Sequence, residues 1–453
     1  MLPLSDLRRE FRPMLRLATP LVLAELAWMS MGIVDSIMAG RLGAAALGAG
    51  SLGTMIFYPI VIAGTGMLLG MDTLVAQAHG ANNPREARRS LIAGLWLGLA
   101  LAPVTSLPIL ALMPLLRAAG TNPHVMELLV PYTKALLWGV ACLMFYAALR
   151  RYLQAIDVVK PVMFAVVSAN LINIFGNWLL MYGHWGFRAM GLEGSGWSTS
   201  ISRLYMALVL LGAVLHHEAK SGNLLFAMRW SPDIARIRQL ALLGLPAALQ
   251  ILFEGAVFGI VTVLAATLDE VSLAAHSIAV QVIATTFMVP LGISSAAAVR
   301  VGQAVGRKDP RGVAVAGWTA LLLSTLFMGT AGIAMALAPR SIVRLFIADT
   351  AVIASGAVLV RMAALFELFD GFQIVSTGAL RGLGDTRSPM LAHLIGYWAL
   401  GLPVIYVLCY PLRRGVVGIW VGLTAALILI GTTLVAAWSR RVGYQTTVSS
   451  GAR

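Results

Sequence analysis

The sequence predicts an all-α polytopic membrane protein, with twelve transmembrane helices in two six-helix lobes related by pseudo-two-fold symmetry along the membrane normal. Three observations predict this fold class: an apolar composition, twelve long apolar runs, and a repeat relating the two halves. Of the 453 residues, 59% are hydrophobic and 11% are charged, and the mean hydropathy is +0.85. Soluble domains are about 45–50% apolar and about 25% charged. The composition therefore indicates a membrane protein.

Twelve stretches between charged loops are long enough to cross a bilayer, which takes about 20 mostly apolar residues. They cover roughly residues 14–38, 45–70, 90–114, 128–150, 161–183, 196–216, 238–266, 272–299, 314–338, 352–379, 390–411 and 416–438.

The net charge of +14 is explained by orientation in the membrane. With twelve spans and both termini cytoplasmic, most of the 33 Lys and Arg residues fall in cytoplasmic segments, Arg8, Arg9, Arg88 and Arg89 among them. This is the positive-inside bias of membrane proteins. The basic composition therefore reflects orientation in the membrane, and we expect no nucleic-acid partner.

The two halves of the chain repeat one another at an offset of about 226 residues. "LATPLVLAEL" (17–26) aligns with "LGLPAALQIL" (243–252), and the loop "GANNPREARRS" (80–90) aligns with "GRKDPRGVAV" (306–315). Six spans per repeat bring both halves into the membrane from the same side, as in many transporters. We therefore predict lobes of residues 1–220 and 221–453, joined by a linker near residues 217–237, with a ligand cleft between them.

Six acidic residues fall inside predicted spans. Insertion scales assign a charged side chain at the bilayer centre about 2.5–3.5 kcal/mol, so such residues usually face a wet cavity or a partner. They are candidate cation or proton sites. The six are Glu25, Asp35, Asp72, Glu254, Glu367 and Asp370.

These acids make the two predicted lobes chemically different. Asp35 has no acidic counterpart in the second repeat, and Glu254 has none in the first. Glu367 and Asp370 are three residues apart and therefore share a helix face. A low dielectric and a second nearby carboxylate both disfavour the ionised form. The pair is therefore predicted to bind a proton near neutral pH or to share a monovalent cation.

Uncharged polar residues occur beside these acids in the predicted spans. Asn173 and Asn177 lie four residues apart on one face of the fifth span, and Thr199 lies near the start of the sixth. Their oxygens suit a hard cation, while interhelical hydrogen bonding is the open alternative. Structural ion pairing is likewise the alternative role for Glu25, Asp72, Arg203 and Arg361.

No enzyme or cofactor motif is evident in the sequence. "GAGSLG" (48–53) fits G-x-G-x-x-G but begins an apolar span, where close helix packing explains it. Cys142 and Cys409 lie in separate spans without metal-ligand spacing. We therefore expect neither an enzyme nor a bound cofactor.

The chain resembles the multidrug and toxic compound extrusion (MATE) family, and its NorM branch in particular, in motifs that keep their order along nearly the whole sequence. The stretches are "VDSIMAG" (34–40), "GMDTLVAQAHGA" (70–81), "NIFGNWLLMYG" (173–183), "LFEGAVFG" (252–259), "AAAVRVGQAVG" (296–306) and "FDGFQIVSTGALRGLGDT" (369–386).

The resemblance implies a two-lobe, multi-pass exporter of the inner (cytoplasmic) membrane that exchanges inward H⁺ or Na⁺ for outward organic cations by alternating access. By family position, Glu254 and Asp370 look like the coupling-ion site of the second lobe, to which we add Glu367. Asp35, with Asn173, Asn177 and Thr199, looks like the acidic cluster of the first. Glu254, Asp370 and Asp35 are also the carboxylates that would contact Na⁺ if sodium is the coupling ion.

One departure from the family favours protons slightly over sodium. Some NorM-type proteins have Tyr four residues before the second-lobe aspartate, and this chain has Phe366 there. The loss of that oxygen weakens the case for Na⁺.

The expected substrates are small, hydrophobic, cationic drugs and dyes, handled by a monomer in the lipid bilayer. Aromatic rings attract such cations, and the predicted substrate contacts are Phe253, Phe258, Phe287, Phe366, Phe369 and Gln281. A flippase for lipid-linked precursors or polysaccharides, with a similar two-lobe build but a basic cavity, is the alternative.

Overall fold

The computed structural model describes residues 3–220 and 230–451, and their regular structure is helical. Two segments are π-helical, Asn177–Met181 and Leu394–Gly401. The α-helices are α1 Leu4–Gly40, α2 Ala44–Met67, α3 Gly70–Gly80, α4 Pro84–Ala118, α5 Pro123–Ala155, α6 Lys160–Gly176, α7 Leu192–Lys220, α8 Ile234–Ala266, α9 Glu270–Gly306, α10 Pro310–Leu337, α11 Pro339–Arg344, α12 Thr350–Leu383, α13 Arg387–His393, α14 Leu402–Cys409 and α15 Gly415–Gly451.

Twelve helices of the described chain are long and apolar enough to cross a membrane, which confirms the predicted number. Several extend well beyond the predicted spans. Helix α1 begins at Leu4, and α9 runs from Glu270 to Gly306. The hydropathy pattern detects only the apolar part of each helix. The charged ends continue because their side chains form ion pairs, such as Glu10 with Arg300 at 2.7 Å.

The predicted repeat is visible in the backbone of the two matching loops. Asn82 and Lys308 both adopt a left-handed conformation with φ of 56°. The next residue caps the following helix in each case: Asn83 accepts from the Glu86 amide at 3.2 Å, and Asp309 accepts from the Gly312 amide at 2.8 Å. Such side-chain caps satisfy backbone N–H groups that would otherwise lack partners. The two loops therefore start α4 and α10 in the same way.

The chain packs into two compact units, one formed by residues 1–22 with 249–453 and the other by residues 23–248. It passes from one unit to the other inside α1 and inside α8, just after Pro20 and Pro246, which correspond in the repeat. The predicted lobe division between residues 220 and 221 borders residues 221–229, which lie outside the described chain. That division stays a prediction.

Glycines allow close helix crossings within each unit. In the unit of residues 23–248, a Cβ built on Gly244 of α8 would lie 1.8 Å from the Met67 carbonyl oxygen of α2. In the other unit, a Cβ on Gly292 of α9 would lie 2.6 Å from Val22 of α1. Small residues at helix interfaces let the backbones approach closely. Each unit therefore contains a glycine-mediated crossing, of α8 with α2 in one unit and of α9 with α1 in the other.

Replacing Gly244 with Ala is expected to destabilise the protein by about 1–3 kcal/mol, because the added methyl group overpacks a backbone contact. Gly255→Ala on the same helix is the matched control, since a Cβ there would have no neighbour within 4 Å. Thermal unfolding of the purified variants in detergent should lower the midpoint for Gly244→Ala alone. Equal midpoints for the two variants would contradict this account of the crossing.

Ion pairs hold the charged ends of the helices in the unit of residues 23–248. Arg88 of α4 contacts Glu218 of α7 at 2.6 Å, and the Tyr152 hydroxyl of α5 donates to the same carboxylate at 2.8 Å. Just before α8, Asp233 accepts hydrogen bonds from Arg89, which hold the pKa of its carboxyl below the usual value. These contacts fix α4, α5, α7 and the start of α8 against one another.

Candidate functional site

The predicted first-lobe cluster is assembled in the unit of residues 23–248. The Asn177 side chain donates to one carboxylate oxygen of Asp35 at 2.7 Å, and the Thr199 hydroxyl donates to the other at 3.2 Å. Asn177 also donates to the side-chain amide oxygen of Asn173 at 3.3 Å, and the Asn173 side-chain nitrogen donates to the Thr199 hydroxyl oxygen at 3.4 Å. All four predicted residues therefore belong to one hydrogen-bonded cluster.

Local structure explains why α6 and α7 bring these side chains together. A Cβ on Gly176 would lie 2.4 Å from the Ser198 hydroxyl oxygen, so only glycine allows this approach. The Ser198 hydroxyl donates to the Asn173 backbone carbonyl at 2.8 Å, which fixes the register of the two helices. The π-helical segment begins at Asn177, and such segments occur often at functional sites.

A cavity of about 360 Å³ lies beside this cluster and is lined by residues of α1, α2, α5 and α7. Asp35, Tyr58 and Thr199 contribute polar groups, and Arg203 contributes a base. The Arg203 guanidinium lies 4.8 Å from the centre of the Phe57 ring and donates to a backbone carbonyl at 3.2 Å. The charged groups lining this cavity are therefore one carboxylate and one guanidinium.

A second cluster forms in the unit of residues 1–22 and 249–453, around Gln373. The Gln373 amide nitrogen donates to Glu254 at 3.0 Å and to Asp370 at 3.1 Å, and so joins α8 to α12. The Gln373 oxygen faces His393 Nε2 at 2.9 Å. Asp370 is 5% exposed, whereas Gln373 and His393 are fully buried. The side chain of Glu254 keeps 17% exposure and is the most accessible of the four.

Glu367 lies one turn before Asp370 but forms its hydrogen bond elsewhere. The Thr286 hydroxyl of α9 donates to Glu367, whose carboxyl group is fully buried. The predicted shared helix face therefore exists, yet the groups joined through Gln373 are Asp370 and Glu254. A coupling role for Glu367 stays a prediction.

The predicted substrate contacts lie in different surroundings. Phe366 is 1% exposed, as a core residue is. The centre of its ring lies 6.4 Å from that of Phe258 and 6.0 Å from that of Trp420. Partly exposed rings are those of Phe253, Phe258, Phe287 and Phe369, and Gln281 is exposed on α9. Phe366 contributes to packing in this conformation, and the substrate role of all six residues stays a prediction.

Two of the remaining intramembrane acids are ion-paired with arginines. Glu25 pairs with Arg150, and Asp72 lies 3.4 Å from Arg151. Arg361 is exposed on α12. The pairing alternative for Glu25 and Asp72 is therefore realised in the structure.

Sequence reasoning missed Gln373 and His393. Gln373 follows Asp370 by three residues and therefore shares its helix face, a signal that was available. His393 was detectable only as an ionisable residue within a predicted span. Its proximity to Glu254 depends on the packing of separate helices.

The carboxylates of both clusters accept hydrogen bonds from N–H and O–H donors. Within residues 3–220 and 230–451, no group of three or more His, Cys, Asp or Glu side chains is arranged to hold a metal ion. Hard cations prefer several oxygen ligands.

A family profile, MatE, matches residues 20–179 and 246–407, which include every residue of the two clusters except Thr199. The chain belongs to the MatE family. The resemblance found in the sequence is thereby confirmed, and the chain is a multi-pass membrane protein.

Curated MatE relatives align with nearly the whole chain. A probable multidrug resistance protein NorM from Mesorhizobium japonicum is 37% identical over 445 residues, covering 96% of this chain and 94% of that protein. The multidrug resistance protein PmpM of Pseudomonas aeruginosa is 34% identical over 442 residues, covering 95% and 92%.

Solved structures of MATE transporters share this fold. The eukaryotic transporter AtDTX14 superposes with a TM-score of 0.86 at 19% identity, covering 97% of this chain and 99% of that one. A MOP superfamily transporter from Pyrococcus furiosus, described as having a binding pocket of reverse polarity, also gives 0.86, at 18% identity and 96% coverage of both chains. The predicted all-α fold class with twelve transmembrane helices is confirmed.

Proposed function

We propose that this MatE-family protein is a secondary active multidrug exporter of the cytoplasmic membrane, which expels organic cations by antiport with protons. The observation that carries the proposal is a pair of buried acidic clusters, one in each compact unit. Asp35 lies in the first, and Glu254 with Asp370 lies in the second. An ionisable group buried inside a membrane span is a candidate functional site.

Proton coupling is preferred to sodium coupling because the second cluster lacks an oxygen ligand that some NorM-type proteins have. Phe366 occupies the position of their Tyr and has no hydroxyl. A proton needs only one carboxylate oxygen, whereas a hard cation such as Na⁺ prefers several oxygen ligands.

In the proposed cycle, a proton from outside neutralises the carboxylates of the second cluster, Glu254 and Asp370. Their attraction for the bound organic cation weakens, and the cation leaves to the outside. Release of the proton to the cytoplasm restores the negative charge and the affinity for the next cation. The proton and the cation drive the cycle only through their different affinities for the two access states. Both termini are cytoplasmic in this proposal.

Ethidium transport by proteoliposomes containing the purified protein tests the coupling ion. An imposed proton gradient is expected to drive transport, and a sodium gradient alone, at equal pH on both sides, is expected to leave it at the level of protein-free liposomes. Protein-free liposomes also serve as the control for passive dye leakage. Transport driven by sodium alone would overturn proton coupling, and failure of both gradients would overturn the exporter proposal.

A lipid-linked-precursor flippase remains the second candidate because Arg203 lines the cavity beside Asp35. A flippase cavity is expected to carry an excess of basic groups, whereas this cavity has one base and one acid among its lining residues. The Arg203 side chain is also held by Phe57 and a backbone carbonyl. Translocation of a fluorescent anionic lipid by the same proteoliposomes, without ethidium transport, would favour this candidate.

A further inference from the structure

The hydrogen bonds around Gln373 require the second cluster to hold one additional proton. The amide nitrogen of Gln373 faces Glu254 and Asp370, and its oxygen faces His393 Nε2 at 2.9 Å. The other ring nitrogen, Nδ1, lies 2.8 Å from the carbonyl oxygen of Pro389. Both nitrogens of the His393 ring therefore face oxygen atoms.

With this amide orientation, the ring must donate from both nitrogens. A neutral imidazole has one donor and one acceptor nitrogen. Its acceptor lone pair would then face an oxygen 2.8 or 2.9 Å away, which is repulsive. The ring thus carries an additional proton in this arrangement.

The reversed amide orientation also requires an additional proton. The oxygen and nitrogen of a glutamine amide are assigned from their hydrogen bonds. When they are exchanged, the Gln373 nitrogen donates to a neutral His393, and its oxygen faces the carboxyl groups of Glu254 and Asp370. At least one carboxyl group must then donate, and so must hold the proton. This arrangement leaves fewer buried charges, and unpaired buried charge is costly.

We propose that Gln373 and His393 complete the proton-coupling site of the second cluster. The side-chain amide of Gln373 rotates by half a turn as the proton moves between the carboxyl pair and the His393 ring. The proton leaves a carboxyl oxygen of Glu254 or Asp370 and binds Nε2 of His393, so the total charge is unchanged. His393 Nε2 lies 3.7 Å from Glu254 Oε2, within reach after a small displacement. His393 holds the proton in one of the two arrangements, and Gln373 connects its ring to the carboxyl pair. The inference rests on the proposed proton coupling.

The position of His393 links this proton to the shape of its span. His393 is the last residue of α13, and the π-helical segment starts at Leu394. When the proton leaves the site, one ring nitrogen must lose its hydrogen bond, so the ring or the amide has to move.

The groups facing His393 come from three elements. They are Glu254 of α8, Asp370 and Gln373 of α12, and Tyr397, whose ring centre lies 5.9 Å away in the π-helical segment. Glu367 lies one turn further along α12 and is bonded to Thr286.

His276 in the same unit provides a matched control. It is also fully buried, but its Nδ1 accepts from Trp420 at 3.2 Å and its Nε2 pairs with the Thr262 hydroxyl at 3.1 Å. A neutral ring satisfies both contacts. No additional proton is required there.

Ethidium binding to the purified full-length protein in detergent, measured by fluorescence anisotropy across neutral pH, tests the inference. Wild-type affinity should rise with pH because the dye and the proton compete. His393→Gln offers Gln373 an amide in either orientation but cannot hold a proton. The midpoint of the pH dependence of ethidium affinity is therefore expected to move about one pH unit lower. This shift corresponds to a proton affinity about tenfold weaker than that of the wild type. His276→Gln should leave the midpoint unchanged.

A double variant distinguishes action through Gln373 from a general disturbance. In a Gln373→Leu background, His393→Gln should cause no further shift, because the connecting amide is gone. An unchanged midpoint in folded His393→Gln, an equal shift in His276→Gln, or additive shifts in the double variant would each overturn the inference. If the ethidium affinity of the wild-type protein did not change with pH, the proposed proton coupling itself would be overturned.

A second measurement uses the wild-type protein alone and covers the case in which the His393 variants fail to fold. The infrared difference spectrum between acidic and alkaline samples should contain histidine-ring and glutamine-amide bands that change together with the carboxyl band. Absence of the ring and amide changes, while the carboxyl band changes, would contradict the proposal.

Discussion

Replacing Asp370 with Asn is expected to abolish proton-driven ethidium transport while the protein still reaches the membrane. The substitution keeps the size of the side chain but removes the carboxyl group that can bind a proton. Glu254 would remain bonded to Gln373, so the cluster would be preserved around a group that cannot titrate. The loss should therefore appear in transport and leave the yield of folded protein unchanged.

Transport in proteoliposomes under an imposed proton gradient is the measurement for Asp370→Asn. Asp349→Asn is the matched control, because Asp349 immediately precedes the same helix and caps its first turn by accepting from two backbone amides at 2.9 Å. Asn is an equally good helix cap. Glu254→Gln should behave as Asp370→Asn does. Wild-type transport rates in both cluster variants would remove these carboxylates from the coupling site.

Replacing Arg150 with Met is expected to cause the largest loss of stability, about 3–5 kcal/mol, because one partner of a buried ion pair is removed. Arg150 pairs with Glu25 within the unit of residues 23–248, and both side chains are buried. The substitution would leave the Glu25 carboxylate without its counter-charge. Thermal unfolding of the detergent-purified variant should show a clearly lowered midpoint.

The double variant Glu25→Gln with Arg150→Met is the control for this prediction. Removing both charges also removes the uncompensated one, and neutral replacement of a buried pair is often tolerated. The double variant should therefore recover most of the midpoint lost in Arg150→Met. A double variant as unstable as the single one would show that Arg150 acts through packing.

Much of the fold was predictable because the membrane imposes a simple pattern on the sequence. In lipid, a spanning segment must satisfy its own backbone hydrogen bonds, so a long apolar run becomes a helix. The repeat likewise predicted that the loops at residues 80–90 and 306–315 would match, and Asn82 and Lys308 adopt the same φ. Helix ends were less predictable, because the Glu10–Arg300 contact joins residues far apart in sequence.

The acidic cluster around Asp35 was predictable for a different reason. Asn173 and Asn177 share a helix face by spacing alone, and Thr199 stood out as a polar residue near the start of the sixth span. The family resemblance grouped these three residues with Asp35. The second cluster was less accessible. Spacing paired Asp370 with Glu367, whereas packing joined Asp370 to Glu254 through Gln373 and directed Glu367 to Thr286.

The sequence by itself determined the number of spans, the repeat and the acids that lie within the spans, since burial and helical periodicity are local properties that each residue type expresses in its own segment. The tertiary structure decided which partner each acid meets. Glu25 is bonded to Arg150 and Asp35 to Asn177, while Glu254 shares Gln373 with Asp370 and lies close to His393. These pairings depend on how separate helices cross, and glycines such as Gly176 and Gly244 set how closely those helices approach.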